Sequence, residues 1–571
     1  MITTRVLLSV VLLTFLAACQ TVSPTLEASA TSLYVATTGS DNNPGTSAQP
    51  LRTIQAAADK VQAGQTVIVK GGVYYERVIN IRRGGTTTAP VTFRAAPGER
   101  VVIDHGLRVQ SWQSDTGSVF KAKIIPFPDM TASEFKYDDT IAVVVGDKPL
   151  KRVQSRSSLV AGSYWVESSS GLLYVWAPDG SSPQGKETVI VNWSKSGPGI
   201  FIWNDGNYSG GKAGPVANIV FDGFIHRGAE AAIWASNFDV RSGAVNENLT
   251  IKNCQIAHNY QYALRLDGWK GAVLQNCNIY NNGLVNWPRG SNGWPHAIIS
   301  WQTQSVRILG NQIHDNHGEG VGPFSDSSNW IIADNKVFDN WSVNIYIDSS
   351  ADNHIVRNNL VYNTGKYGMT GNNNPDGIRI ANEDADCQTG NEDPTPAISN
   401  VRVTNNIIIN TGGGIRQFNY NDPSYCNRGG RSYLKDSLIA NNTVVRSTSN
   451  NGVGDGIVVG TGADNVQMVN NIIVEDELAI YGAQGAGVKV QNNVLSAVSS
   501  LNASGAGISV SGMIYGNPGF VSGTGYVAQN YKLQATSPGV NKGLSLSQVL
   551  FDYERVKRPQ GGVYDIGAFE R

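Results

Sequence analysis

The sequence predicts an all-β chain wound as a single-stranded parallel β-helix, and three observations carry that prediction. A phrase of the form apolar-x-apolar-x-x-Asn-x-apolar recurs down the middle of the chain, with its Asn at Asn311, Asn335, Asn359, Asn406, Asn442, Asn471 and Asn493. Its period of roughly 22–25 residues is too short for a helix pair but fits one coil of a β-solenoid. The composition, with 63 glycines against 5 methionines, suits turn-dense β structure. Coils stacked about 4.8 Å apart bring equivalent residues into ladders, so the Asn amides are expected to hydrogen-bond one another inside the turn.

The chain opens on one basic residue, Arg5, an apolar run from Val6 to Leu16, and then Ala17, Ala18 and Cys19. The run is too short to span a bilayer, and its ending resembles a bacterial lipobox. Residues 1–19 are therefore read as a lipoprotein signal peptide with lipidation at Cys19, and the Ser-, Thr- and Ala-rich residues 20–32 as a flexible tether. That places the mature protein outside the cytoplasm, lipid-anchored to the envelope or secreted, with the lipid anchor as its only membrane contact. Charge gives no global attraction for nucleic acid, since 44 basic residues face 45 acidic ones.

Residues 33–109 hold the N-terminal cap and first coils. Here Tyr34-Val-Ala-Thr-Thr-Gly-Ser-Asp-Asn-Asn-Pro-Gly-Thr46, Pro50-Leu-Arg-Thr-Ile54 and Gly64-Gln-Thr-Val67 follow one another. This pattern resembles the entry segment of secreted right-handed β-helix proteins of the pectate-lyase-like superfamily. The resemblance implies a right-handed solenoid and reports fold rather than activity; the chain is expected to be a monomer, and its polysaccharide partner is read from the site below. Ile54, Ala57, Ala58 and Val61 recur at helical spacing and predict a short helix capping the open end of the solenoid. Alternating runs such as Thr140–Val145 and Leu172–Ala177 mark a β-rich insertion over 110–187. The main β-helix is expected over 188–515. The tail, 516–571, with Tyr564-Asp-Ile-Gly-Ala-Phe-Glu-Arg571, resembles the C-terminal closure of the same superfamily.

Strand alternation points to a functional face. After each turn a strand opens on a small residue, and its third and fifth positions face solvent. That outward set includes Trp203, Trp234, Arg265, Asp267, Trp301, Phe324, Tyr346 and Phe418. Aromatic rings pack against the apolar face of a pyranose while charged neighbours take its hydroxyls or carboxylate, so these residues are the expected glycan contacts.

Asp326, Asp348, Glu383 and Asp384 gather at one level of successive coils, with Glu319 nearby and Arg379 and Arg416 one coil apart beside them. Two chemistries are open at this level. The carboxylates can serve as the acid and base of a glycosidase, or Asp326, Asp348, Glu383 and Asp384 can hold calcium. In the second case Arg379 or Arg416 acts as the base of a uronate lyase, a role the resemblance supplies. The arginine column favours the lyase, with hydrolase second and a non-catalytic glycan-binding lipoprotein as the alternative class. The catalytic candidates are accordingly Arg379, Arg416, Asp348, Glu383, Glu319 and His317, the last as a proton donor at the groove edge. Cys254 and Cys277 occupy the Asn position of consecutive coils and are read as buried thiols. Cys387 and Cys426 sit in insertions leaving adjacent coils, and in an oxidising compartment they read as a disulfide.

Overall fold

The computed structural model describes residues 32–128, 141–192, 196–203, 216–236, 246–290, 293–348, 352–381, 397–418, 433–447, 454–460, 463–476, 478–482, 485–497, 500–503 and 506–571. The lipobox, Glu383 and Asp384, and the Cys387–Cys426 pair lie outside these residues. Three long parallel sheets, of 14, 13 and 12 strands, run the length of the molecule. Each coil visits them in that order, as in Ile331–Ala333, Lys336–Phe338 and Val343–Asp348. We call them the first, second and third sheets.

The turns explain the Asn-Asn pairs of the sequence. The chain leaves the first sheet through one residue in the left-handed region, among them Asn358 (φ 57°), Asn405 (φ 54°), Asn441 (φ 55°) and Asn470 (φ 58°). Asn tolerates that conformation better than most side chains. The next residue builds the ladder: Asn311 Nδ2 donates to Asn335 Oδ1 at 3.0 Å, Asn335 to Asn359 at 3.0 Å, Asn359 to Asn406 at 2.9 Å, and the series continues to Asn493. Cys254 and Cys277 continue the column as buried free thiols, with the Cys254 N–H donating to Cys277 Sγ at 3.4 Å. A second ladder, which the repeat phrase does not reveal, joins Asn259, Asn282, Asn316, Asn340 and Asn344 at the turn into the third sheet.

Inside the coils, stacked aliphatics such as Ile345, Ile378, Ile415, Ile457 and Ile480 form one continuous core. The helix Ile54–Lys60 closes its N-terminal end, burying Ile54, Ala57 and Ala58. Thr53 accepts from the Ala56 N–H, and Glu76 accepts from the Ile54 and Gln55 N–H groups at 2.7 and 2.9 Å, which satisfies the first-turn donors.

The insertion differs in extent from the sequence reading. Thr188–Asn192, expected to begin the main coils, pairs antiparallel with Ile141–Val145 instead, and the third sheet resumes at Ile200–Trp203. The cause is burial on both faces: Ile190 fills the insertion's core while Val189 and Val191 pack on Tyr260 and Leu284 of the solenoid.

Two sheet faces are already covered. On the second sheet an outward stack of rings runs Tyr280, His314, Phe338, Tyr362 and Tyr526 at 4.6–5.4 Å. Beyond it the C-terminal segment packs Tyr531, Leu533, Ile566 and Phe569 onto Ile407, Ile409, Val445 and Ile472. Tail residues Leu546, Val549 and Tyr564 likewise cover Leu438, Ala440 and Val469, which stand on or beside the first sheet. Among the described residues the C-terminal segment packs on the first and second sheets.

Candidate functional site

The third sheet begins with an aromatic stretch. Phe201 lies 5.2 Å from Trp203 and 5.7 Å from Trp234, and Trp203 is 37% exposed. The next coils differ from the expectation of free charged contacts. The Arg265 guanidinium sits between two indoles, 4.0 Å from Trp234 and 4.6 Å from Trp301. Its Nε donates to Asp267 at 3.1 Å, and Trp234 Nε1 donates to the same carboxylate at 2.7 Å. Arg265 and Asp267 therefore hold the aromatic rings in place. Trp301 continues edge-on to Phe324 at 5.9 Å, and Phe324 to His296 at 6.2 Å.

Further along, Tyr346 is buried beside Val343 and Ala381 rather than exposed as a platform. Gly322 is the reason the coils close so tightly here, since a Cβ on it would collide with the Tyr346 carbonyl. His317 is also displaced from its expected role. It is fully buried, its ring 4.7 Å from Trp287, with Arg289 Nε donating to its Nδ1 at 3.4 Å. Burial and the neighbouring guanidinium push its pKa well below the ordinary value, so it stays neutral at neutral pH and is not the imidazolium a general acid would need. Asp348 is buried in register with Ala381, whereas Asp326 is exposed in a left-handed turn. Among the described residues no group of three or more His, Cys, Asp or Glu is placed to hold a metal. Phe418 is a strand residue, but its side chain lies outside the described set.

The charged chemistry collects at the opposite end of the strands from Asp348. Register through Ile298, Val321, Ile345, Ile378, Ile415 and Ile457 places the residues two positions earlier in one column: His296, Glu319, Val343, Asp376, Gly413 and Asp455. His296 Nδ1 lies 3.0 Å from Glu319 Oε2. Arg379, from the outward position, folds back so that Nε and Nη2 meet Asp376 Oδ2 at 2.8 and 2.7 Å. Arg416 reaches Asp376 and Asp455 at 3.5 Å each. Burial works to lower the Arg379 pKa, but Asp376, Tyr346 and Glu319 overcome it and raise the pKa above the ordinary arginine value. A guanidinium so held is a cation and not a base. Burial pushes the Asp455 carboxyl up, Arg416 opposing and Asp376 adding to it.

Sequence reasoning identified Glu319, Arg379 and Arg416 but missed Asp376 and Asp455. Asp376 ends a long insertion and Asp455 follows one, so neither displays the strand alternation used to find the face. The available signal was their common offset, two residues before the inward Ile.

Residues 33–172 match the family model of the Pel9A-like right-handed β-helix region, and residues 198–427 that of the right-handed β-helix region. Two curated proteins are similar over a short stretch. The uncharacterized protein YwoF of Bacillus subtilis is 43% identical over 77 residues, 14% of this chain and 16% of its own length. Pectate lyase PEL9 of Emericella nidulans is 43% identical over 76 residues, 13% of this chain and 18% of its own. The match thus spans about a sixth of the length of these relatives. Among solved structures, XylC in complex with xylose superposes with a TM-score of 0.56 at 15% identity, covering 94% of this chain and 98% of that one. Long parallel sheets, stacked Asn turns and these matches together make the chain a right-handed parallel β-helix of the pectate-lyase-like fold.

Proposed function

We propose that the chain is an extracytoplasmic polysaccharide-active enzyme that holds its substrate along the outer face of the third sheet and cleaves it by hydrolysis at the head of that sheet. The observation that carries this reading is the pair Glu319 and Asp376, two rungs apart in one column at the end of an aromatic track. Two rungs separate their Cα atoms by about 9.6 Å, a spacing that lets the carboxyl groups stand on either side of a glycosidic bond. Glu319, with His296 beside it to resupply a proton, is the acid. Asp376, oriented by Arg379 and Arg416, is the base or nucleophile.

β-Elimination on a uronate glycan is the second reading, supported by the short match to pectate lyase PEL9. Its sequence argument was the column of outward arginines beside the carboxylates, and Arg379 and Arg416 pair with Asp376 and Asp455 instead. In this reading Arg416, the more exposed of the two, faces the substrate, and calcium is held by residues that include Asp326 and Asp348.

The test is incubation with neutral and uronate polysaccharides, reading new reducing ends and the ultraviolet absorbance of an unsaturated uronate. Reducing ends without absorbance, unaffected by chelation and lost in Asp376→Asn and Glu319→Gln, are expected. Absorbance that rises with turnover and vanishes on chelation would replace hydrolysis with elimination.

A further inference from the structure

The β-rich insertion is left unused by the proposed catalytic face, yet it does not stand apart from it. Where its sheet docks on the solenoid, a cavity of about 360 Å³ remains, within the size range of small-molecule sites. The insertion contributes Arg152, Gln154 and Tyr164 to its wall, and the solenoid contributes Tyr260, Leu284 and Trp287. The Trp287 indole N–H is shielded from solvent, so it is the ring and not the N–H that borders this space.

Position ties this cavity to the column. Tyr260 lies two residues before Tyr262, and Leu284 and Trp287 lie in the turn that leads to His296. Register aligns Tyr262 with His296, which pairs with Glu319. The cavity therefore stands one to two rungs, about 5–10 Å along the axis, before Glu319.

We infer that this cavity is a second sugar-binding site, taking one pyranose unit of a glycan whose cleaved bond lies at the column. The rings of Tyr164, Tyr260 and Trp287 contribute apolar wall for the C–H surface of the ring, while Arg152 and Gln154 address its oxygens. The ligand class rests on the proposed glycan chemistry, but the binding does not depend on turnover.

Isothermal titration of the full chain with xylose and with galacturonic acid tests the inference. Saturable binding of at least one sugar is expected. Trp287→Ala removes one wall of the cavity and should weaken binding about fivefold, the loss of one ring contact. Gln154→Trp, at an exposed position, should fill the mouth and abolish binding, whereas Asp376→Asn should leave it intact. Absence of binding by either sugar, or binding untouched by both cavity variants, would overturn the inference. Turnover of a polysaccharide by a protein that binds neither sugar would sink this site and leave the proposed function standing; binding without turnover of any glycan would do the reverse.

Discussion

Replacing Asn335 with Leu tests the ladder where it is deepest. Asn335 Nδ2 donates to Asn359 Oδ1 at 3.0 Å and to the Ile308 carbonyl at 2.9 Å, while its Oδ1 accepts from Asn311 Nδ2 at 3.0 Å and from the Asn311 N–H at 2.9 Å. Leucine has the same branching and number of heavy atoms, is bulkier, and makes none of these bonds. Asn311 Nδ2 keeps the Leu274 carbonyl, and Asn359 Oδ1 keeps the Asn335 main-chain N–H. The Asn311 N–H loses its acceptor inside the core, at a cost of about 2 kcal/mol, and the remaining lost bonds add about 1 kcal/mol each, against which leucine burial returns about 1–2 kcal/mol. The expected net loss is about 3 kcal/mol, read from the urea midpoint and slope of the variant against the parent. Because solenoid coils are coupled mainly to their neighbours, the slope is checked for loss of a single cooperative transition. A loss below about 1 kcal/mol would refute the claim that the ladder bonds are buried and energetically required.

Other outcomes follow from the same geometry. Asp376→Asn should reduce glycan turnover at least about a hundredfold while a substrate polysaccharide still binds, since general acid–base groups contribute that order of rate; unchanged turnover would remove Asp376 from the reaction. Trp203→Ala should weaken polysaccharide binding without altering thermal stability by more than about 0.5 kcal/mol, because this ring is already exposed; equal binding would detach the track from the substrate. Stability should peak near pH 6.5. Burial holds His105, His258 and His354 down to about 3 and His317 well below its ordinary value, so these four favour the folded state above the unfolded pKa and lose that stabilisation as pH falls. Burial raises Glu76 to about 7 and Asp476 to about 8, so between their unfolded pKa and those values the folded state binds the extra proton and stability falls as pH rises. Below pH 6.5 the four histidines outweigh the two carboxyls, and above it, of these six groups, only the carboxyls still titrate. Glu76→Gln with Asp476→Asn should flatten the alkaline side and steepen the acid side, and thermal midpoints from pH 4 to 9 decide it.

The architecture was legible because the solenoid repeats its constraints. Each turn needs one residue that tolerates the left-handed region and one whose amide satisfies main-chain groups above and below, and Asn-Asn at 358–359, 405–406, 441–442, 470–471 and 492–493 meets both needs side by side. The capping helix was legible for a similar reason, since Ile54, Ala57, Ala58 and Val61 share one face. The strand Thr188–Asn192 was not. Val189, Ile190 and Val191 form a short apolar run that periodicity cannot assign to a coil or to an insertion, and docking on Tyr260 and Leu284 decides it.

The site was half legible, for a physical reason visible in Asp376. Alternation identifies side chains in mid-strand, where the backbone fixes their direction, and it found Trp234, Arg265 and Arg379. At the first residue of a strand the corner frees the side chain from that rule, so Asp376, with the parity of an inward residue, delivers its carboxylate to outward Arg379 and Arg416. The same corner effect gathers His296 and Glu319 into one contact, although neither occupies a position that alternation reads as exposed. Mid-strand residues on a flat stacked face are spaced and oriented uniformly, which suits a track that binds repeating sugars. Corner residues converge, as Arg379 and Arg416 do on one carboxylate, and convergence is what acid–base chemistry on a single bond requires. The proposed division of labour between Trp203 to Phe324 as track and Glu319 and Asp376 as reacting groups thus follows from where each stands along its strand.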